Sequence, residues 1–315
     1  MGQQAQRVPD RVVSGDTAPA LAGGRLSQFA DRQFKYLAIT PAVVIILLIG
    51  LFPIVYSAVV SFQNINMLEE DTSFSGLLNY QRLIADTRFW LALGHTFVFL
   101  AIALPIELIL GLLLAYLFLD RMPGRQIFVA LLVLPVVVSP IVSGAMWSIL
   151  LDQRFGPINQ ILGWIAGRDV TLLWTVNPAL VYPAILAAEI WQWTPFMFLL
   201  LLAALSNVDK SQLEAAGIDG AGFLATFRKI VLPAIWPVLA IAVLIRALDL
   251  FRLFDIIWAL TGGGPGTMTE TVSIYAYVQG FQQFETSYAA AMAFAILLIV
   301  NILVLLALRR VEIAR

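Results

Sequence analysis

Residues 213–233 read LEAAGIDGAGFLATFRKIVLP and separate two long apolar blocks of the chain. Glu214 stands near the start of this segment, and Phe223 and Phe227 follow it among many small residues. Small side chains permit close approach of two backbones, a carboxylate pairs with a basic group on a partner, and phenylalanine rings fill a pocket. This composition predicts a compact docking surface. The other residues expected to contribute to it are Ala215, Ala216, Asp219, Gly220 and Ala221.

The same region carries signals for the two ends of a short helix. Ser206 or Asn207 is expected to cap its start, because their side chains accept hydrogen bonds from free backbone N–H groups. Pro233 lacks a backbone N–H and is expected to stop it. The alternative interpretation is that the alanines and glycines only pack a hairpin against the rest of the same chain.

Outside this region the chain is dominated by apolar blocks. Of its 315 residues, 60% are hydrophobic and 12% are charged, whereas soluble domains carry about a quarter charged residues. Each block is close to or above the roughly 20 residues that a helix needs to cross the hydrocarbon core. The sequence therefore predicts an all-α membrane protein with about six transmembrane helices. The blocks are residues 37–62, 92–119, 126–150, 180–205, 233–259 and 287–308.

The polar N-terminal segment differs from the rest. Residues 1–34 are predicted to be a polar cytoplasmic tail, and residues 35–315 the transmembrane domain, within which residues 206–232 form a cytoplasmic loop. The first apolar block lies too far from the N-terminus and is too long for a cleavable signal peptide. Leu26 and Phe34 belong to a helical spacing of apolar residues that favours a short amphipathic helix at the end of this tail.

Lys and Arg residues are distributed unequally between the two sides of this six-helix arrangement. Thirteen of the nineteen lie in the tail or in connections on the same side as the N-terminus, four lie on the other side, and two, Arg246 and Arg252, lie within the fifth block. Positively charged connections remain on the cytoplasmic side of a membrane. Both termini are therefore predicted to be cytoplasmic.

Residue types that most catalytic or metal sites require are scarce or absent. The chain has no cysteine and one histidine, His95, which we expect to form a hydrogen bond near the outer end of the second span. It has no HExxH, GxSxG or Walker-type sequence, so no catalytic residue, metal ligand, nucleotide site or bound cofactor is predicted.

The glycine run at 262–266 is expected to form a tight turn. The net charge of −1 and the lack of a basic patch predict no nucleic-acid partner.

Two sets of residues resemble a known family. The pattern around Glu214, continuing through Gly220 to Pro233, resembles the loop that defines the membrane subunits of binding-protein-dependent ABC importers. Residues 190–196, IWQWTPF, and 251–271, FRLFDIIWALTGGGPGTMTET, resemble the permeases of the maltose and glycerol-phosphate type. The resemblance extends from about residue 35 to residue 310. The remaining positions that match the loop are Ala215, Ala216, Ile230 and Leu232.

This resemblance implies the ABC importer type I transmembrane fold, with a coupling helix between the fourth and fifth spans. It implies a subunit of the bacterial inner membrane that pairs with a second, related permease subunit to enclose a pathway for a sugar, oligosaccharide or glycoside. Two cytoplasmic ATPase subunits would hold ATP and Mg, and an extracytoplasmic solute-binding protein would deliver the substrate. The residues implied to couple to the ATPase are Glu214, Ala215, Ala216, Asp219, Gly220, Ala221, Phe223 and Phe227.

Ionisable residues inside the predicted spans are the remaining functional candidates, because such residues are costly in lipid. Glu107 and Glu189 lie in the second and fourth spans. Four charges of alternating sign recur every third residue from Arg246 to Asp255 and predict a ladder of ion pairs along one helix. The alternative is that several polar and aromatic residues line a pathway and contact sugar hydroxyls and ring faces. The pathway candidates are Trp191, Gln192, Trp193, Asp249, Arg252, Asp255 and Asn301.

Two other functions remain open from the residues alone. An ion-coupled secondary transporter also uses intramembrane carboxylates and broken helices, although no internal repeat is evident in the sequence. An intramembrane enzyme would need a nucleophile and base or a metal cluster, and the motifs for these are missing.

Overall fold

The computed structural model of the chain describes residues 25–66, 73–120 and 122–313. The chain divides into two compact units, of which the first ends at Val55 and the second begins at Tyr56. Of the predicted tail, residues 1–24 lie outside the described residues. The helix expected near residues 26–34 is present as the first turns of the longer helix α1, Arg25–Ile46, and not as a separate element.

The described part of the chain is mainly helical and contains no named strand, with an isolated bridge between Gln63 and Phe74. After α1 and a π-helical turn, Leu47–Leu51, the helices are α2 (Phe52–Val60), α3 (Leu78–Ala85), α4 (Thr87–Leu117), α5 (Arg125–Val137), α6 (Pro140–Leu150), α7 (Pro157–Ala166), α8 (Pro178–Ser206), α9 (Lys210–Ile218), α10 (Phe223–Thr226), α11 (Leu232–Phe251), α12 (Asp255–Leu260), α13 (Val272–Tyr277) and α14 (Thr286–Ile313).

Five unbroken helical segments in the described residues are long and apolar enough to cross a bilayer, and a bent pair makes six if it counts as one span. The fold class predicted from the sequence, an all-α membrane protein with about six spans, is therefore confirmed. The unbroken segments are Ala38–Val60, Thr87–Leu117, Pro178–Ser206, Phe223–Phe251 and Thr286–Leu306, and the pair is α5 with α6.

Two of the predicted spans have different boundaries in the structure. The third is interrupted between Val137 and Pro140, where its two halves meet at an angle of 99°. The fifth begins at Phe223 and ends at Phe251, so residues 252–259 do not belong to it.

The prediction that Pro233 stops a helix is wrong. Pro233 occupies the first turn of α11, where its missing N–H removes no α-helical hydrogen bond. A π-helical turn at Phe227–Val231 joins α10 to α11.

Helix α8 is the most buried of the spans in the second unit and packs closely on α4. More than half of its apolar segment, 56%, is buried, against 22% for α4. Gly111 of α4 makes the close approach possible, because a Cβ at this position would lie 2.6 Å from Met197 Cβ and 2.9 Å from Phe198 N. A side chain larger than hydrogen therefore has no room between these helices.

Asp86 joins several helices through hydrogen bonds. Its carboxylate accepts hydrogen bonds from the N–H groups of Arg88 and Phe89 and from the hydroxyls of Tyr275 and Tyr288. Partial burial of Asp86 acts to raise its pKa, but the hydrogen bonds outweigh burial and hold the pKa below its ordinary value. The charged form of Asp86 thus caps α4 and connects it to α13 and α14.

Polar contacts also order the connection between α12 and α13. His95 Nδ1 lies 3.1 Å from the carbonyl oxygen of Glu270, which confirms the predicted hydrogen bond of this histidine. The glycine run forms the expected tight turn, since Gly262, Gly263 and Gly266 have φ values of +61°, +92° and +60°. Only glycine adopts such backbone angles without strain.

The packing at Gly111 leads to a test with a matched control on the same helix. We expect Gly111→Ala to lower the free energy of unfolding by about 1–3 kcal/mol, because the new methyl group overpacks the α4–α8 contact. Gly94→Ala adds the same methyl group where no atom lies within 4 Å, so it should be neutral or slightly stabilising. Thermal unfolding of the purified proteins measures both, and equal stability of the two variants would contradict the packing argument.

Candidate translocation cavity and coupling segment

A polar cavity of about 420 Å³ lies beside the break in the third span and the end of the fifth span. The break separates α5 from α6, and the fifth span ends at Phe251, before α12 begins. Discontinuous helices near the middle of a membrane free backbone groups and commonly form substrate sites in transporters. The cavity is lined by Pro140, Glu189, Trp193, Arg246, Asp249, Arg252, Leu253, Phe254, Asp255 and Ile256.

The interruption before α6 is satisfied by a side chain from α8. Pro140 has no N–H to continue the helix, and the carbonyl oxygen of Val138 accepts a hydrogen bond of 2.8 Å from Gln192 Nε2. On the far side of the break α6 packs against α12, since a Cβ on Gly144 would lie 2.7 Å from Ala259 Cβ. The second half of the broken span therefore contacts the helix that follows the fifth span.

The interruption after α11 is also satisfied by hydrogen bonds. Arg252 caps the end of α11, where its N–H donates to the carbonyl oxygen of Asp249. The carbonyl oxygen of Leu253 accepts a hydrogen bond of 2.7 Å from Thr271 Oγ1. These contacts fix the turn that brings Phe254 and Asp255 to the cavity.

A buried ion triad joins three spans behind the cavity. Arg246 of α11 donates two hydrogen bonds of 2.8 Å to the carboxylate of Glu107 on α4 and one of 2.8 Å to Glu189 Oε1 on α8. Arg246 is 0% exposed, and Glu107 and Glu189 are 0% and 2% exposed. A charge removed from water is tolerated only when it is paired and hydrogen-bonded.

The triad reaches the cavity through two groups. The guanidinium carbon of Arg246 lies 4.5 Å from the centre of the Trp193 ring, which is a cation–π contact. The second oxygen of Glu189, Oε2, is buried and has no hydrogen-bond partner among the described residues. A buried acceptor left unpaired is costly, and it belongs to a residue that lines the cavity.

The structure brings four of the seven predicted pathway residues to the cavity, namely Trp193, Asp249, Arg252 and Asp255. Gln192 lies beside it, buried, and holds the break at Val138 instead. Trp191 is 37% exposed and contacts Trp147 with ring centres 6.0 Å apart. Asn301 is not brought to the cavity, because its side chain donates to the carbonyl oxygen of Leu297 on its own helix, α14.

The predicted ladder of ion pairs along one helix is wrong. Helix α11 ends at Phe251, so Asp255 belongs to the next helix, and Arg246 pairs across the bundle instead of with Asp249. Only the Arg252–Asp249 pair, at 2.8 Å, matches the expectation. Desolvation explains the difference, because the two buried carboxylates on α4 and α8 need a cation more than the exposed Asp249 does.

Sequence reasoning recognised Glu107 and Glu189 as intramembrane charges but did not assign their partner. A signal existed, since opposite charges in separate apolar spans are expected to pair inside a membrane protein. No sequence signal identified Leu253 and Phe254 as cavity residues. Among the described residues, no group of three or more His, Cys, Asp or Glu side chains could hold a metal ion.

The coupling segment, residues 206–232, contains a short helix with defined ends. The predicted caps Ser206 and Asn207 are wrong, because α9 begins at Lys210 and Asp209 caps it. The Asp209 carboxylate accepts from the hydroxyl and N–H of Ser211, and these hydrogen bonds lower its pKa. Ser206 remains in the last turn of α8, where its hydroxyl donates to the Leu202 carbonyl.

Gly220 ends this helix in a Schellman motif. The N–H of Ala221 donates to the carbonyl oxygen of Ala216, the N–H of Gly220 donates to that of Gly217, and Gly220 has a φ of +70°. Only four residues separate α9 from α10, so the turn at Gly220 sets the direction in which the fifth span begins.

Most of the predicted coupling residues are exposed. Glu214, Ala215, Asp219 and Ala221 face outward, and Phe223 is 72% exposed. Exceptions occur where a side chain packs inward. Ala216 is buried, and Phe227 is half-buried against Tyr116, with the two ring centres 6.1 Å apart. Ile218, which the sequence reasoning did not select, is 87% exposed and extends the apolar surface.

Comparison with known proteins gives a consistent set of matches. Residues 93–313 match the family model of the binding-protein-dependent transport system inner membrane component. The chain is 34% identical over 250 residues to the trehalose/maltose transport system permease protein MalF of Thermococcus litoralis, covering 79% of this chain and 84% of that protein. It is 33% identical over 282 residues to the trehalose transport system permease protein SugA of Mycobacterium tuberculosis, covering 89% of each.

A solved structure shares the fold. It is a crystal structure of a bacterial ABC transporter involved in the import of the acidic polysaccharide alginate, with a TM-score of 0.77 and 22% identity. The match covers 91% of this chain and 98% of that one.

The ion triad gives a prediction about stability. Arg246→Met leaves two buried carboxylates without their cation, and we expect it to lower the free energy of unfolding by about 3–5 kcal/mol. Arg252→Met removes an arginine of the same helix end whose side chain is 75% exposed, so its effect should stay within about 1 kcal/mol. Thermal unfolding in detergent compares them, and equal losses would show that the triad contributes no more than a surface pair.

Proposed function

The chain belongs to the family of binding-protein-dependent transport system inner membrane components, and on this basis we propose that it is the permease subunit of an ATP-driven importer for a sugar, oligosaccharide or glycoside. The observation that carries the proposal is the polar cavity beside the broken third span and the end of the fifth span, with an aromatic ring and carboxylates in its lining. The chain is a multi-pass subunit of the inner membrane, and in this proposal it forms half of the translocation pathway.

The saccharide substrate is supported by the chemistry of the cavity and by the relatives. Carboxylates accept hydrogen bonds from hydroxyls, and the flat face of Trp193 suits the apolar face of a pyranose ring. The cavity volume of about 420 Å³ lies in the range of small-molecule sites. The relatives with the trehalose/maltose and trehalose names share about a third of their residues with this chain over most of its length.

The connection between the coupling segment and the cavity suggests how energy is transmitted. The helical segment Phe223–Phe251 runs without interruption for 29 residues, which corresponds to about 43 Å. One end follows the turn at Gly220, and the other end carries Asp249 at the cavity. A displacement of α9 would therefore reach the cavity as a movement of one stiff element, which is the rigid-body behaviour common in switching proteins.

The proposed partners follow from this arrangement. Two cytoplasmic ATPase subunits would bind ATP and Mg and dock at the exposed face of α9, since this chain has no Walker-type sequence. A second, related permease subunit would complete the pathway. No cofactor of this chain and no nucleic-acid partner is proposed.

Both termini would be cytoplasmic. Thirteen of the nineteen Lys and Arg residues lie in the N-terminal tail or in connections on the same side as the N-terminus, and positively charged connections remain in the cytoplasm.

An extracytoplasmic solute-binding protein would deliver the substrate to the outer face. The connection between α6 and α8 forms a cleft of about 810 Å³ there, with Trp164, which is 86% exposed, and Arg154 and Arg168 in its lining. Exposed tryptophan and arginine are the residue types that contribute most at protein interfaces.

The proposal is tested first by purifying the tagged, detergent-solubilised chain from its host and identifying the proteins that accompany it by mass spectrometry. Recovery of a Walker-containing ATPase and a second multi-span chain is expected. A chain that purifies alone and transports a solute with an ion gradient would instead support the secondary transporter. The recovered complex, reconstituted in liposomes with its binding protein, then reports ATP-dependent uptake of labelled saccharides.

The coupling role of α9 is tested by reversing one exposed charge. We expect Glu214→Arg to reduce recovery of the ATPase by about tenfold, which corresponds to about 1.4 kcal/mol of binding free energy. Gln212→Arg places the same side chain on the same helix at an exposed position two residues away, and it should leave recovery within about twofold. Equal recovery with both variants would contradict the coupling assignment.

The pathway role of Trp193 is tested by removing its ring. We expect Trp193→Leu to lower saccharide uptake by about tenfold, because stacking contributes about 1–2 kcal/mol, while recovery of the ATPase stays unchanged. Trp90→Leu makes the same change at a half-exposed position outside the cavity and should leave uptake intact. Loss of the assembled complex with Trp193→Leu would show that the residue only packs the bundle.

A further inference from the structure

The lining of the polar cavity carries more negative than positive charge. Glu189, Asp249 and Asp255 contribute three carboxylates, and Arg246 and Arg252 contribute two guanidinium groups. A fourth carboxylate, Glu107, lies directly behind Arg246 and binds it through both oxygens. With all of these groups ionised, four negative charges stand against two positive ones.

Neither guanidinium group is free to receive an anion. Arg246 is 0% exposed, binds Glu107 and Glu189 through Nε and Nη2, and stacks on Trp193. Its charge is therefore already neutralised within the bundle. Arg252 is the accessible one, with its side chain 75% exposed, but it donates a hydrogen bond of 2.8 Å to Asp249. An incoming anion would have to compete with a carboxylate at either arginine.

Carboxylate oxygens without a partner, in contrast, are present at the cavity. Glu189 Oε2 is buried and has no hydrogen-bond partner among the described residues. Asp255 begins α12 at the cavity, and its carboxylate takes part in no ion pair or hydrogen bond within the described part of the chain. Ionised carboxylates accept hydrogen bonds and donate none, so they suit hydroxyl and ammonium groups and repel other anions.

We propose that the cavity selects uncharged or amine-bearing saccharides and excludes saccharides that carry a carboxylate, sulfonate or phosphate, with Asp249 and Asp255 as the specificity-determining residues. This inference rests on the proposed function and specifies its substrate class. Repulsion between like charges is strong where the surroundings are less polarisable than water, as they are in this partly enclosed cavity. The shared fold does not decide the question, because the alginate transporter of the same fold is involved in importing an acidic polysaccharide.

The experiment compares neutral saccharides with analogues that differ only in charge. The importer, assembled from this chain, its partner permease and the ATPase, is titrated calorimetrically in detergent without the binding protein, so that the membrane cavity alone selects. The probes are trehalose and trehalose 6-phosphate, and maltose and maltose 6′-phosphate. We expect each neutral sugar to bind about tenfold or more tightly than its phosphate, and the ratio to shrink in about 0.5 M salt because screening shortens the repulsion.

Three variants assign the selectivity to particular charges. Asp255→Asn removes a charge that makes no contact in the described chain, and Asp249→Asn removes the one paired with Arg252. Each should bring the affinity ratio closer to one by about threefold or more. Arg252→Gln should increase the ratio, because it removes a positive charge. Asp120→Asn, at an exposed site that lines neither the cavity nor the outer cleft, is the matched control and should leave the ratio unchanged.

The outcomes separate this inference from the function on which it rests. Equal or tighter binding of the phosphates would overturn the charge selectivity and leave the importer intact. A ratio unaffected by both aspartate variants would show that the cavity charges do not set it. Binding of no saccharide at all would overturn the saccharide assignment, and the selectivity with it, even if the ATPase is recovered with the chain.

Discussion

The pairing of one buried arginine with two buried carboxylates is the constraint on which the rest of the structure depends. Arg246, Glu107 and Glu189 come from three different spans, and none of them is more than 2% exposed. Each charge would be costly alone in a membrane protein, and the cost is offset only when all three meet. The triad therefore fixes how α4, α8 and α11 are rotated and shifted relative to one another. Close contacts such as that at Gly111 follow from this register.

The position of the triad also determines what lies on either side of it. Five residues beyond Arg246 the helix ends, and the chain turns so that Asp249, Arg252 and Asp255 line the cavity. In the other direction the same helical segment continues to Phe223, next to the turn at Gly220. In the proposed importer the ATPase would act on one end of this segment and the substrate would meet the other. The excess of carboxylates in the cavity then favours uncharged or amine-bearing saccharides.

Local features of the chain were predicted well, and features that depend on competition between distant groups were not. The spans were identified because hydropathy is a property of contiguous residues. The sharp bend before Pro140 was not predicted, because a proline in a membrane helix is compatible with several backbone geometries. The hydrogen bond that the Gln192 side chain donates to the Val138 carbonyl oxygen supports the bend, and it depends on a distant residue. The cap at Asp209 was missed because Ser206 and Asn207 are also good capping residues. Helix α8 extends to Ser206 and ends at Asn207, so Asp209 is the residue that caps α9.

The sequence by itself determined that the chain is an all-α membrane protein of about six spans and that it resembles importer permeases. These conclusions rest on composition, charge in short connections and motif spacing, all of which are local. Only the tertiary structure decided that Arg246 binds Glu107 and Glu189, which lie 139 and 57 positions away. The physical reason is that ion pairing in a low-dielectric interior depends on which side chains helix packing brings within hydrogen-bond distance.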